Sequence, residues 1–226
     1  MKHILVLLFI QIHLQVLLVA AQTVEEDTTY AERVIELDET IVSANLVPEE
    51  KKYVSQQVES ITAKQIQNSN PATAAEMVAG TGQVLVQKSQ QGGGSPVIRG
   101  FEASRVLLMI DNVRLNNIIY RAGHLQNIIT MDPSILQRTE ILFGPSSTVY
   151  GSDALGGVIH LHTKNPSLGD LSGELNIYAN AFIRYASANN EKTGHVDFNI
   201  GGGKLASLTS FSFSDFDDLK QGKNLN

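Results

Sequence analysis

The chain of 226 residues contains no cysteine and no tryptophan. The absence of cysteine excludes a disulfide framework, a zinc-thiolate site and a lipid-modified cysteine at a processing site. Charged residues make up only 18% of the chain whereas glycine occurs 18 times, a composition typical of β-rich proteins with many turns. The net charge is −6 and no basic run alternates with aromatic residues, so a nucleic acid is not expected as a partner.

Motifs of common exported enzymes are also missing. The chain has neither Gly-x-Ser-x-Gly nor His-Glu-x-x-His, and no pair of carboxylates stands in an apolar setting. His160 and His162 share one face of a predicted strand, but without a third ligand nearby they are interpreted as its polar face rather than as a metal site. We therefore expect a binding or transport protein with no resident cofactor, not an enzyme.

The N-terminus has the pattern of a secretory signal. A basic start is followed by an apolar run over residues 4–10, and small residues up to Ala21 suit cleavage there. A retained transmembrane helix is the alternative, but polar residues interrupt the apolar stretch and no basic stop-transfer cluster follows it. We expect residues 1–21 to be a signal peptide, so that the mature chain lies outside the cytoplasm.

Residues 22–52 are expected to form an N-terminal extension. Its first part is acidic and has no clear periodicity. A short β-branched run follows from Glu39 to Ala44. This run suits pairing with the edge of a strand in another protein. The alternative, which composition alone leaves open, is that it is the first strand of the folded domain.

Short strands and short helices alternate from residue 53 to residue 164, which predicts an α+β domain. Thr62 is expected to cap the first helix. The near-continuous apolar run from Val106 to Ile110 is typical of a strand that is buried on both faces. The predicted strands are 54–61, 83–87, 96–101, 106–110 and 139–143, the predicted helices are 63–67 and 72–78, and one helical turn is predicted at 133–136.

Residues 165–226 alternate between apolar and polar side chains in three successive stretches joined by polar or glycine-rich turns. Each stretch is about as long as a strand that crosses a bilayer, roughly ten residues. A soluble β-sandwich with one solvated face has the same period and is the alternative. Because an open edge in lipid leaves backbone groups unpaired at several kcal/mol each, we expect further strands after Asn226.

Four segments, in this order, resemble motifs of the TonB-dependent outer-membrane receptors: PVIRGF at 96–101, VLLMIDNV at 106–113, RTEILFGPSS at 138–147 and YGSDALGGVI at 150–159. The resemblance implies an α+β plug domain over residues 53–164, followed from residue 165 by the first antiparallel strands of a truncated transmembrane β-barrel, which has about 22 strands when complete. It also implies energised uptake of a scarce ligand at the cell outer membrane. The partner would be the TonB energy-transducing complex, pairing with a short box at Glu39, Thr40, Ile41, Val42 and Ser43.

One position departs from the family pattern. Phe143 stands where many relatives have an arginine before Gly-Pro, so a charge pairing between plug and barrel is missing there. Arg99, Arg138 and Glu140 remain as candidates for buried contacts with the barrel. Because a buried charge without a partner costs several kcal/mol, we expect partners for them on the barrel strands.

Residues 116–127 are similar to the plug segment of the haem and haemoglobin receptors. Tyr120 and His124 are residue types that ligate haem iron, and with Arg121 they are the candidate ligand-binding residues. The alternative for His124 is a hydrogen bond within the plug. Haem, haemoglobin or a ferric siderophore is the expected transported ligand, while cobalamin or a glycan stays open. A soluble exported binding or adhesion module with a plug-like fold is the alternative to a receptor.

Overall fold

The structure is a computed structural model that describes residues 40–41, 43–44, 47–88, 94–115, 128–169 and 174–218. The predicted signal peptide lies outside these residues, as does most of the N-terminal extension. Among the described residues no helix is both long and apolar enough to cross a membrane. The strands are β1 Thr40–Ile41, β2 Glu49–Glu50, β3 Gln57–Thr62, β4 Leu85–Lys88, β5 Gly94–Val97, β6 Val106–Ile110, β7 Val113–Arg114, β8 Leu136–Phe143, β9 Gly157–Thr163, β10 Asn176–Ala186, β11 Glu191–Gly201 and β12 Ala206–Asp215. The helices are α1 Ala63–Ser69, α2 Ala74–Ala79 and α3 Ser147–Tyr150, with 3₁₀ turns at Lys51–Tyr53, Ala103–Arg105, Ile128–Thr130 and Pro133–Ile135.

The predicted fold class is confirmed: an α+β domain precedes a set of antiparallel strands. The domain is built on a five-stranded sheet in the order β3-β8-β9-β6-β7. Strands β6 and β9 run parallel, and the other neighbours in this sheet run antiparallel. Strands β4 and β5 form a separate hairpin.

Both faces of this sheet are buried, as the apolar run of β6 predicts. Val106 and Leu108 point into a core with the two helices α1 and α2. Leu107 and Met109 point to the opposite face, where a second core contains Ile41 and Ala44 of the N-terminal segment. Residues just before the domain therefore cover one face of its central sheet, and two helices cover the other.

Capping explains where the helices begin. Thr62 caps α1 as predicted: its hydroxyl accepts a hydrogen bond from the backbone of Gln65, whose side chain accepts one from the backbone of Thr62. The second helix begins at Ala74 rather than at residue 72, because Thr73 caps it by accepting a hydrogen bond from Glu76.

The predicted strand over residues 96–101 is wrong in its second half. Strand β5 ends at Val97, and Ile98 then pairs with Phe101 across a tight turn. Arg99 and Gly100 occupy this turn with φ values of +50° and +83°. A left-handed backbone is accessible to glycine at little cost, which explains why Gly100 suits the second position of this turn.

Strands β10, β11 and β12 form an antiparallel meander, as predicted. Side chains of β11 alternate: those of Thr193, His195, Asp197 and Asn199 are buried on the face toward the α+β domain. The opposite face is apolar and exposed. Its large side chains include Ile177, Ile183, Val196, Phe198, Ile200, Phe211 and Phe213.

Candidate functional site

The N-terminal segment at Thr40–Ala44 packs against the central sheet. Thr40 and Ile41 pair in antiparallel register with Glu50 and Glu49, and Ile41 is fully buried. Glu39 and Val42, which belong to the same predicted box, lie outside the described residues. In this structure Thr40 and Ile41 therefore pair with residues of the same chain. The pairing of the segment with TonB stays a prediction.

Ser43 makes the central contact of the site, with the carboxylate of Glu140. The Ser43 N–H donates to Glu140 Oε2 at 2.8 Å, and its hydroxyl donates to the same oxygen at 2.6 Å. The Ser43 carbonyl accepts a hydrogen bond of 2.7 Å from the hydroxyl of Tyr150. Ser43 and Glu140 are both 0% exposed. All three polar groups of Ser43 are therefore bound by buried side chains.

Strand geometry explains why Glu140 meets this segment. On β8 the side chains of Arg138, Glu140 and Leu142 share a face by the two-residue period of a strand. Leu142 belongs to the same core as Ile41. Glu140 therefore points toward the N-terminal segment and lies in register with His160 on the neighbouring strand β9.

The Glu140 carboxylate is ionised. Burial by itself raises its pKa, but contacts from His162, Ser43 and Arg138 outweigh burial and hold the pKa of Glu140 well below its ordinary value. Arg138 Nε donates to Glu140 Oε1 at 2.7 Å, and His162 Nε2 lies 3.5 Å from the same oxygen. Donors on both carboxylate oxygens compensate for the removal of the charge from water.

His160 is neutral and its tautomer follows from its neighbours. Burial, with His162 next in importance, lowers the pKa of His160 to about 4. Its Nε2 accepts a hydrogen bond of 3.0 Å from the Asn112 N–H, so the ring proton is on Nδ1. Nδ1 lies 3.0 Å from the Ser43 hydroxyl oxygen and donates to it. A hydrogen-bonded chain therefore runs from Asn112 through His160 and Ser43 to Glu140.

The His160-Leu161-His162 motif belongs to this buried polar cluster. The two imidazole rings lie 4.0 Å apart, centroid to centroid. Among the residues that the structure describes, no group of three or more histidine, cysteine, aspartate or glutamate side chains is placed to hold a metal ion. The sequence predicted that this face of β9 is polar, and in the structure the N-terminal segment lies over it.

The other two residues predicted to contact a barrel are placed on or near the sheet. Arg99 donates to Gln57 Oε1, and its guanidinium carbon lies 5.8 Å from the centroid of the Phe143 ring. Phe143, at the position that departs from the family pattern, is buried in the core with the helices. Arg138 is bound to Glu140. Contacts of Arg99, Arg138 and Glu140 with barrel strands stay a prediction.

Other residues, which no motif in the sequence indicated, join the domain to the meander. Lys164 Nζ lies 2.9 Å from Asp197 Oδ2. Arg184 donates to the Pro71 carbonyl at 2.9 Å and also pairs with Glu191. A further contact joins Asp132 to the Ser212 hydroxyl. The signal that could have identified them is the polar inward face of the alternating strands.

The candidate ligand-binding residues Tyr120, Arg121 and His124 lie outside the described residues. Their proposed role therefore depends on sequence alone. The last described residue before them in the sequence is Leu115, whose N–H donates to the Leu108 carbonyl in the central sheet.

Comparison with known proteins identifies the α+β domain. Residues 50–158 match the family described as TonB-dependent Receptor Plug Domain. The chain is 33% identical over 163 residues to the Hemin receptor of Yersinia pestis, a match that covers 69% of this chain and 22% of that receptor. It is 30% identical over 137 residues to the Vitamin B12 transporter BtuB of Vibrio vulnificus, covering 59% of this chain and 22% of that transporter.

The fold is also similar to that of outer-membrane receptors of known structure. The pyoverdine outer membrane receptor FpvA of Pseudomonas aeruginosa superposes with a TM-score of 0.62, covering 78% of this chain and 24% of that receptor. The sequence identity is 18%, so this likeness concerns the fold alone. The chain spans about a quarter of the length of the proteins that it matches.

Proposed function

Because the chain belongs to the TonB-dependent receptors, whose plug domain it carries over residues 50–158, we propose that it forms the N-terminal part of a receptor for energised uptake. The receptor lies in the cell outer membrane and takes up a scarce iron-containing ligand, either haem or haemoglobin or a ferric siderophore. This ligand is transported cargo rather than a resident cofactor, and the receptor carries it without a catalytic step.

The way in which the plug joins the meander carries this proposal. The inner face of the meander is polar and is connected to the plug by the Lys164–Asp197 ion pair and the Arg184–Pro71 hydrogen bond. Its outer face is apolar and exposed, and its strands have 10 or 11 residues. A wall that is apolar outward and polar inward suits a barrel that stands in lipid around a plug.

We assign TonB binding to the segment Glu39, Thr40, Ile41, Val42 and Ser43. It precedes the plug match, and it contains β-branched residues that suit pairing with an added strand. In strand addition the affinity comes from main-chain hydrogen bonds, which transmit a pull while demanding little of the side chains. Residues 1–21 are proposed as the signal peptide that directs export, and residues 165–226 as the first strands of the barrel.

Disulfide crosslinking in cells tests the TonB site. Single cysteines at Thr40, Ile41, Val42 and Ser43 of the full-length receptor are expected to form adducts with cysteines placed in TonB, because paired strands bring their side chains close together. The present chain has no cysteine of its own to interfere. Lys64→Cys is the matched control, since it is exposed on α1, on the opposite side of the sheet. Adducts at Lys64 as strong as those in the segment, or none in the segment, would refute the assignment.

Haem is the ligand that we place first, and Tyr120, Arg121 and His124 are its proposed contacts in the plug. This proposal is supported by the 33% sequence identity to a hemin receptor and by the iron-ligating residue types in residues 116–127. The identity with a vitamin B12 transporter keeps other ligands under consideration.

A haem titration of the full-length receptor tests this choice. The wild type is expected to shift the Soret band on binding haem, and His124→Ala should weaken the affinity about tenfold or more, as loss of an iron ligand implies. Tyr53→Ala is the control for an iron-ligating residue type outside the proposed site, because Tyr53 is 66% exposed, and it should bind haem like the wild type. An unchanged Soret shift and affinity in His124→Ala would remove His124 from the site.

A further inference from the structure

A cavity of about 400 Å³ lies between the plug and the inward face of the meander. Ligand pockets in proteins have volumes of roughly 300–1,000 Å³ and are common where two domains meet. The plug contributes residues of α1, of the 3₁₀ turn at Pro133–Ile135 and Lys164, and the meander contributes residues of β10 and β11. Lys164 and Arg184, whose contacts join the plug to the meander, both line the cavity, so the two parts are joined around this space.

An aromatic ring on the polar inward face of the meander borders this cavity. Phe182 on β10 is paired with His195 on β11, so the two side chains share the inward face. Their rings are stacked, with the centroids 5.2 Å apart and an angle of 25° between the planes. His195 is buried, whereas Phe182 is 38% exposed and lines the cavity. Phe182 therefore presents part of its ring to whatever occupies this space.

The plug adds apolar side chains to the lining of the cavity. They include Ile66 of α1, Pro133 of the 3₁₀ turn and Leu136 at the start of β8. Ile66 and Leu136 also belong to the core of the plug, so packing fixes their positions. Aromatic rings stack favourably on one another, and flat apolar groups bury area against aliphatic side chains. The ring of Phe182 and these plug residues therefore suit a planar aromatic group.

The polar groups in the lining favour a ligand that accepts hydrogen bonds. The Asp197 carboxylate already accepts from Lys164 Nζ and Asn180 Nδ2, each at 2.9 Å, and contacts His195 Nε2 at 3.1 Å. An ammonium group has three N–H donors, and the contact with Asp197 uses one of those of Lys164. What the cavity offers to a ligand is therefore a cationic donor, and charge-assisted hydrogen bonds to anionic oxygens are the strong ones.

We propose that this cavity is a second binding site for the transported ligand, inside the receptor, and that it takes a planar aromatic group that carries an anionic oxygen. Haem, with its carboxylates, and the ferric catecholate siderophores, with their phenolate oxygens, share this chemistry. The ring of Phe182 contacts the aromatic part of the ligand and Lys164 donates to the anionic oxygen. The inference rests on the proposed function, because it assigns a further position to the same ligand.

Three variants change the cavity in different ways. Ala63→Phe places a ring in it, because Ala63 of α1 lines the cavity. Phe182→Leu keeps an apolar side chain but removes the aromatic ring, and Lys164→Gln removes the charge. Lys64→Phe is the matched control for the first variant, since Lys64 is the next residue of α1 and is exposed. Lys88→Gln is the control for the third, since Lys88 also forms an ion pair, with Glu76, but lies on β4.

Equilibrium dialysis of the purified full-length receptor measures how many ligand molecules it binds at saturation. Haem and a ferric catecholate siderophore are the two probes, used separately. The wild type is expected to bind two molecules of at least one probe, and Ala63→Phe only one. Phe182→Leu should weaken the second site about fivefold and Lys164→Gln about tenfold or more, from the lost stacking and the lost charge-assisted hydrogen bond, with the first site unchanged. Both controls should match the wild type, and protease resistance of the plug will verify that each variant is folded.

The two probes also identify the source of the ligand. A second molecule that Ala63→Phe loses with haem alone, with the siderophore alone or with both supports the site and names its ligand. A single bound molecule that Ala63→Phe retains, or a second one that it retains, overturns the inference while the proposed uptake function stands. A folded wild type that binds neither probe would instead refute the proposed uptake of an iron-containing ligand, and the second site with it.

Discussion

Replacing Glu140 with alanine is expected to lower the free energy of opening of the plug sheet by about 3–5 kcal/mol, the range found when one partner of a buried ion pair is removed. The alanine leaves the Ser43 N–H without its acceptor and Arg138 without its counter-ion, at a site where Ser43 is fully buried. Hydrogen exchange of the amides in β8 and β9 of the full-length receptor measures this free energy.

Glu76→Ala provides the comparison for this prediction. Glu76 also carries a lowered pKa, but its ion pair with Lys88 is well exposed to solvent. Pairs of this kind contribute about 1 kcal/mol or less. A loss in Glu140→Ala no larger than that in Glu76→Ala would contradict the view that the Glu140 cluster holds the plug together.

Gly157→Ala is expected to prevent normal folding of the plug, with a cost of about 4 kcal/mol or more, a size that only a few mechanisms produce. A Cβ atom at Gly157 would lie 2.4 Å from the Leu142 carbonyl oxygen and 3.0 Å from Ile98 Cδ1. The carbonyl belongs to the neighbouring strand β8, so relief of this overlap requires the central strands to separate. The amount of protease-resistant receptor in the outer membrane reports the result.

Gly194→Ala is the matched glycine control. Nothing lies within 4 Å of a Cβ built at Gly194, on β11 of the meander. The variant should reach the membrane in the same amount as the wild type. Normal amounts of protease-resistant Gly157→Ala receptor would show that the strands β8 and β9 tolerate a side chain at this position.

Local patterns in the sequence predicted much of the fold. The apolar run of β6 indicated a strand with two buried faces, and the Thr62 cap fixed the start of α1. The period of two predicted the meander and the alternation of its apolar and polar faces. These features depend on neighbours a few residues apart, which is why they can be read from the sequence.

The candidate site could not be predicted in the same way. Ser43 and Glu140 are 97 residues apart in sequence, and nothing local indicates that they meet. A glutamate in a strand is ordinarily expected on a solvated face. Its burial here follows from the N-terminal segment lying over the sheet, which is a tertiary contact. The family resemblance did mark Glu140 as a buried charge in need of a partner, but it implied a partner on the barrel.

The N-terminal segment illustrates how a single pattern can serve two roles. Composition left open whether Glu39 to Ser43 is a box for TonB or the first strand of the domain. In the structure Thr40 and Ile41 pair with β2, and Ser43 is held by the plug. Both roles fit this pattern, because a strand within a sheet and a strand that pairs with a partner favour the same β-branched residues.

Uptake of radiolabelled iron, supplied as haem, by cells that produce the full-length receptor with and without TonB tests the central claim most directly, with ferric siderophores supplied in parallel. The account predicts that at least one of these ligands accumulates inside the cells only when TonB is present, and that without TonB it remains at the surface. Equal accumulation in the two strains for every ligand that is taken up, or no accumulation in either, would contradict the account.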